Sequence, residues 1–391
     1  MDYLTRARQL FAQTVAVRRS LHQMPEIGRD LPNTTSFVAE QLQNAGCTPV
    51  PIDGGIYALL GNSGRGKTIL LRADMDALPA FEESGLSFAA TNGYSHSCGH
   101  DCHAAILLCA AQMLKEQEAS LKGCVKLVFQ ADEEGLTGAK AMCQAGILEN
   151  PHVDAAAALH VIPNMVPPGI VASGTGAMAA ASDIFRISLH GNGGHGSVSH
   201  GGPNVADAVI HLAEKLAQID AKKLWDGAKA ALTVGAIQCG DAPNSIPSSA
   251  SISGTIRAYQ SSARQKALDE IQRLLQDVEQ ETQCRTQFEI LGSTPVCINH
   301  EGLTAQFQSF LNEVHANWKA AQPVMGSEDF AEYAQRVPAT YFMLGAGVTD
   351  GSSLCIQHDP RVRFNEAALP YGAACLAGFA QWWLEKESEE G

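Results

Sequence analysis

Apolar positions along the chain follow two rhythms. Through the first 180 residues, short continuous apolar runs alternate with segments of helical length. TILLRAD (68–74) is an apolar run closing on an acid, the pattern of a strand buried on both faces. CVKLVFQ (124–130) and DAAAALHV (154–161) read as further strands, although the alanines of the second favour helix. NTTSFVAEQLQNAGC reads as a helix started by Asn33 or Thr34 and stopped at Gly46. HAAILLCAAQMLKEQ (103–117) is helical in length and composition, with Cys98 and His100 in a loop before it. The N-terminal MDYLTRARQLFAQTVAVRRS reads as one amphipathic helix, without the apolar core or cleavage site of a signal peptide.

From about residue 183 the rhythm changes to alternation. DIFRISLHG, ALTVGAIQ, ASISGTIRAY and CRTQFEIL read as half-buried strands, with helices over about 203–220 and 262–281. That order is βαββαβ, the split arrangement of a ferredoxin-like domain. After Pro295 the pattern returns to helix, strand and helix and ends in a charged tail. The fold class expected is therefore α/β. A catalytic domain with a mostly parallel sheet flanked by helices (1–182 and 293–391) carries an inserted ferredoxin-like domain (183–292).

Composition narrows the function classes. The 391 residues carry 41 acidic and 27 basic side chains, a formal net charge of -14. This balance argues against a nucleic-acid or anionic-membrane partner. No run of about 18 apolar residues is present to span a membrane. The 11 cysteines are scattered from Cys47 to Cys375, which fits reduced thiols in a cytoplasm better than a disulfide framework.

The candidate chemistry sits where strands end, which in open α/β sheets is where sites form. Asp74 and Asp76 follow one strand in RADMDALP; Asp132, Glu133 and Glu134 follow another in FQADEEG. His160 closes AALH, Cys98 and His100 lie in SHSCGHDCHAA, and His358 lies in QHDP. Sulfur, imidazole and carboxylate together suit a divalent metal. Each position alone has a plainer reading: a zinc knot at Cys98 and Cys102, a solvated Glu133–Glu134 pair, a core histidine at 160 or 358. The zinc knot lacks a second cysteine pair at finger spacing, and CxxxC is not the CxxC redox spacing. The case rests on the set rather than on any member.

RADMDALP, SCGHDCH, FQADEEG, GNGGHGS, APNSIP, GTIRA and MGSEDF, in this order, resemble the hippurate hydrolase and auxin-conjugate amidohydrolase family. These are N-acyl-amino-acid amidohydrolases among the two-metal metallopeptidases, related more distantly to aminoacylase and carboxypeptidase G. The likeness runs from about Arg18 to the last helix. It implies that Cys98 bridges two divalent metals, zinc or manganese with cobalt or nickel as alternatives, and that His100, Glu134, His160 and His358 complete their coordination. It further implies that Glu133 is the general base and that Asp76 orients the site. His195 would polarise the scissile carbonyl from the partner subunit of a homodimer, which leaves a tetramer open. Asn244 and Arg257 would hold the substrate carboxylate, with Ser327 and Glu328 nearby. The implied reaction is hydrolysis of a small-molecule N-acyl amino acid. A metallo-dipeptidase, with Asp132 or the Glu82–Glu83 pair binding a free amine, and a non-catalytic metal-binding relative are the alternatives. The chain departs from the family pattern beside these roles. Ser199 stands where proline is usual, Asp132 stands where alanine is usual and adds charge beside the base, and IPSSA follows Asn244.

Overall fold

The computed structural model describes residues 1–197, 202–219, 230–349 and 355–390. Ser199 and the end of the helix expected to reach residue 220 lie outside the described residues. The chain divides into two compact units: Met1–Met178 with Cys297–Gln322 and Asp329–Gly391, and Ala179–Val296 with Pro323–Glu328.

The first unit is built on an eight-stranded sheet. Its order is Val50–Ile52, Gly55–Gly61, Cys124–Gln130, Thr68–Asp74, Ala155–Ile162, Ala339–Gly345, Val171–Ser173, Trp318–Ala320. The four central strands run parallel, and antiparallel pairings flank them on both sides. Every residue of these four strands is buried, which explains continuous apolar runs in place of alternation. The alanine-rich run is the strand Ala155–Ile162. Its small side chains let the helices His100–Glu116 and Leu369–Glu390 approach the sheet, so packing overrides the helical propensity of alanine. In the same core Phe307 stacks on Phe342 with ring centroids 4.5 Å apart and meets Phe379 edge-on at 5.0 Å.

Three local expectations are corrected. The N-terminal segment forms two helices, Tyr3–Gln9 and Phe11–His22, that meet at Leu10. The next helix is Pro32–Asn44, and Asn33 and Thr34 do not cap it. Glu26 does so from outside, accepting from the backbone N–H groups of Asn33 (3.2 Å) and Thr34 (2.8 Å). The helix expected over 103–117 begins three residues earlier, so His100 is its first residue rather than part of a loop. Gly99 makes the entry, in the left-handed region at φ 92°.

The second unit has the βαββαβ order. Its antiparallel sheet runs Ala230–Cys239, Ser249–Ala258, Ala181–His190, Arg285–Thr294. The helices Val205–Ala217 and Ser261–Thr282 supply Val209, Leu212, Ile271 and Leu275 to a core shared with Phe185, Ile187 and Ile252. A two-residue ribbon pairs Gly194–His195 with Ser245–Ile246.

Candidate metal centre

Chain direction gathers the first unit's donors. Parallel strands end at one edge of the sheet, and Asp74, Gln130 and His160 stand at or near the ends of three neighbours. Met75 N–H donates to the Gln130 carbonyl (2.9 Å), which ties the two acidic turns together. His358, in the left-handed region at φ 69°, is tethered by its N–H to the Ser97 carbonyl at 3.0 Å.

Two trios of donor atoms form there, each with all members within 4.8 Å of one another: Cys98, His100 and His160, and Cys98, Glu134 and His358. They share Cys98. Cys98 Sγ lies 3.5 Å from His160 Nε2. His358 Nε2 lies 3.4 Å from Glu134 Oε1 without a hydrogen-bonding alignment. Glu133 joins His100 and Glu134 in a third such group, 3.9 Å from His100 Nε2.

The ring nitrogens are oriented for this arrangement. His100 Nδ1 donates to the Asp76 carbonyl (2.9 Å), with Asp76 Oδ1 at 3.3 Å. His100 Nε2 and Glu134 Oε1 are buried with no hydrogen-bond partner. Buried polar atoms of this kind are rare and ask for an ion or water, and two carboxylate- and imidazole-type atoms facing a thiol fit a cation. Asp76 Oδ2 accepts from Glu134 N–H at 3.1 Å, so one carboxylate steadies both a histidine and the acidic turn. His160 Nδ1 donates to the Val161 carbonyl at 2.9 Å, which leaves Nε2 as the acceptor facing Cys98.

Protonation in the metal-free protein follows from burial and neighbours. Burial, then the Glu134 carboxylate, hold the Cys98 thiol well above its usual range. Burial opposes charge on His100, but the Asp74 carboxylate beside it raises it well above the ordinary imidazole value. His160 is pushed well below it by burial and then by the His103 ring. Burial opposes charge on Glu134, while the His358 and His100 rings lower it on balance. A proton on His100 thus occupies the charge position a cation would take.

A buried polar layer lies beneath. Arg72, inside the central strand, donates to Asp74 Oδ2 (2.6 Å), Asp329 Oδ1 (2.6 Å) and Gln130 Oε1 (3.0 Å). Asp329 also accepts from Ala139 N–H (2.9 Å), and its own N–H donates to Glu133 Oε1 at 3.3 Å. His103 Nδ1 donates to Asp74 Oδ1 at 2.5 Å. Arg72, His103 and Asp329 received no role in the sequence reading. The signals were present for two of them: His103 stands three residues after His100, on the same helix face, and Asp329 lies inside MGSEDF.

The acidic groups considered for a substrate amine are otherwise engaged, with one exception. Glu82 accepts from His22 Nε2 (2.9 Å) and Ala90 N–H (2.7 Å), and His22 Nδ1 donates to Asp101 at 2.7 Å. Asp132 accepts from the Thr137 hydroxyl. Glu83 is exposed.

The remaining candidates belong to the second unit. His195 is exposed on the short ribbon, opposite Ser245, and Gly196 N–H donates to the Asn244 carbonyl at 2.9 Å. Ser197 N–H donates to His195 Nδ1 at 3.2 Å, which places the ring proton on Nε2. Arg257 Nη1 donates to Ser327 Oγ and to the Met325 carbonyl, both at 3.2 Å. The fold therefore joins His195 with Asn244, and Arg257 with Ser327.

Comparison with known proteins bears on this arrangement. The family model of peptidase family M20/M25/M40 matches residues 70–382. Thermostable carboxypeptidase 1 of Saccharolobus solfataricus is 32% identical over 381 residues, covering 95% of each chain. IAA-amino acid hydrolase ILR1-like 4 of Arabidopsis thaliana is 32% identical over an alignment of 399 residues, covering 97% of this chain and 88% of that one. The crystal structure of the Bacillus subtilis YXEP protein, described as a dinuclear metal binding peptidase of the M20 family, is similar with a TM-score of 0.77. It is 26% identical and covers 97% of this chain and 99% of that one.

Proposed function

The chain belongs to peptidase family M20/M25/M40, and on that footing we propose that it hydrolyses the amide bond of N-acyl amino acids, releasing a carboxylic acid and a free amino acid. The observation that carries this reading is the pair of donor trios sharing Cys98 with Glu133 beside them. Cys98, His100, Glu134, His160 and His358 would hold two divalent cations, zinc or manganese. Such ions act as Lewis acids and lower the pKa of a water from about 15.7 to about 7.

The chain's own groups do the rest. Glu133 takes a proton from the attacking water and passes it to the leaving nitrogen. Its second oxygen is steadied by Asp329 N–H, so the carboxylate keeps one aim throughout. Asp76 holds His100 and the acidic turn in place. His195 Nε2–H donates to the oxygen on which charge develops. Arg257 meets the substrate carboxylate with a planar fork, aided by Asn244, and Ser327 pins the guanidinium.

A panel varying the acyl and amino-acid halves separately, after reconstitution with metal, tests the reaction itself. Within it, Arg257→Ala should raise KM for free-carboxylate substrates by roughly 10- to 150-fold, the equivalent of about 1.5–3 kcal/mol for a charge-assisted hydrogen bond. KM for amide-capped analogues should hardly move. Equal effects on both remove Arg257 from carboxylate recognition.

The working state is a homodimer in which His195 serves the partner's centre. Support comes from the strand Ala230–Cys239, the outer strand of its sheet, which leaves Ile237 51% exposed. An apolar edge of this length is a pairing surface. Sedimentation should give twice the monomer mass. Ile237→Lys should yield monomers whose hydrolysis is lower by about 10²–10³, the cost of one oxyanion donor. A fully active monomer would overturn both points. The scatter of 11 cysteines from Cys47 to Cys375 favours a reducing, cytoplasmic setting. Among the described residues no helix is long and apolar enough to cross a membrane.

A further inference from the structure

We propose that His103 is a positioning residue, holding the strand end that presents His160 to the metals. This rests on the reading of His160 as a ligand.

The central strand Thr68–Asp74 pairs with Ala155–Ile162 only as far as Arg72 opposite Ala158. Beyond that register, the last residues of the second strand receive no ladder partner from the first. Val161 N–H, in this stretch, donates instead to His103 Nε2 at 2.9 Å. The Val161 carbonyl accepts from His160 Nδ1 at 2.9 Å. One residue's backbone thus joins the two rings, which meet edge-on with centroids 4.4 Å apart.

His103 is itself fixed from behind. Its Nδ1–H is held by Asp74 Oδ1, and Asp74 Oδ2 is held by Arg72. The three side chains are no more than 1% exposed. Acceptance of a backbone N–H at Nε2 requires the neutral ring with its proton on Nδ1, the tautomer the Asp74 carboxylate selects. Donor atoms of His103, Asp74 and His100 also lie within 4.8 Å of one another, in a group that resembles a further ligand set. It is not one, because both ring nitrogens are already committed. His103 replaces the missing strand at the point where sheet gives way to site. Removing it releases the Val161 peptide and with it the carbonyl that sets the His160 tautomer.

The test compares His103→Ala, His103→Asn and His103→Gln on the full chain, reading metal affinity by competition with a chromophoric chelator. Glutamine can place an acceptor near Nε2; asparagine reaches only the Nδ1 position. His103→Ala and His103→Asn should each lose about 10- to 100-fold in affinity, the usual cost of removing a group that supports a ligand. His103→Gln should recover most of that loss. Circular dichroism checks folding, and if the alanine variant fails to fold the asparagine–glutamine pair decides alone. Glutamine as damaging as asparagine, or all folded variants binding like wild type, overturns the proposal. His160→Ala is run beside them: if it binds both metals as wild type does, the ligand reading has failed and the proposal falls with it. Loss of binding in His160→Ala with no loss in the His103 variants refutes the positioning role alone.

Discussion

Glu133→Gln should keep its metals and lose its turnover. The amide has the carboxylate's shape, and its oxygen still accepts the Asp329 N–H that reaches Oε1. Glu133 is 6% exposed, and exchanging a buried acid for its amide leaves the surrounding packing intact. What the amide cannot do is accept a proton at neutral pH. General-base catalysis contributes about 10²–10⁴-fold, so kcat should fall by that much while metal content and KM stay near wild type. Metal analysis and steady-state kinetics on one preparation check it. A variant retaining most of its kcat refutes the base. A variant that loses metal makes Glu133 a ligand instead, a role its 3.9 Å separation from His100 Nε2 would permit.

Chelation should abolish hydrolysis completely, and zinc or manganese should restore it. Stability should move too, because an ion that binds only the folded chain adds about 4 kcal/mol when free metal stands at 1,000 times Kd. The stripped protein should therefore melt lower but remain folded, since the phenylalanine cluster and the central strands owe nothing to the ions. Ligands must shed protons to bind. Cys98 and His100 both hold protons more tightly than usual in the stripped protein, so protons compete with metal and apparent affinity should rise with pH. Titrations at pH 6 and 8 decide the sign. Full activity after exhaustive chelation, or weaker binding at the higher pH, contradicts the centre.

Much of the candidate site was legible because it sits on strand ends, and strand ends are marked by apolar runs. Glu134 and His160 stand beside such marks, and Cys98 stands just before the apolar run of a helix. Arg72 was not legible: inside TILLRAD it looks like an interruption, and only the folded sheet places Asp74, Gln130 and Asp329 around its guanidinium. Glu26 capping a helix six residues away, and Pro323–Glu328 packing with the second unit, depend on tertiary contacts that no local periodicity encodes. The start of the helix that carries His100 was misplaced for another reason. Its entry is a left-handed glycine rather than a serine, threonine or aspartate, so the usual N-terminal signal is missing.

That glycine limits how the chain can change. A β-carbon on Gly99 would fall 2.5 Å from Val161 Cγ2 and 3.0 Å from Phe364 Cζ, besides the backbone cost of a side chain at φ 92°. The sulfur and the first imidazole are therefore separated by a residue that strongly favours glycine. Descendants of this sequence, natural or selected in the laboratory, can revise acyl preference through many positions but should keep glycine between Cys98 and His100.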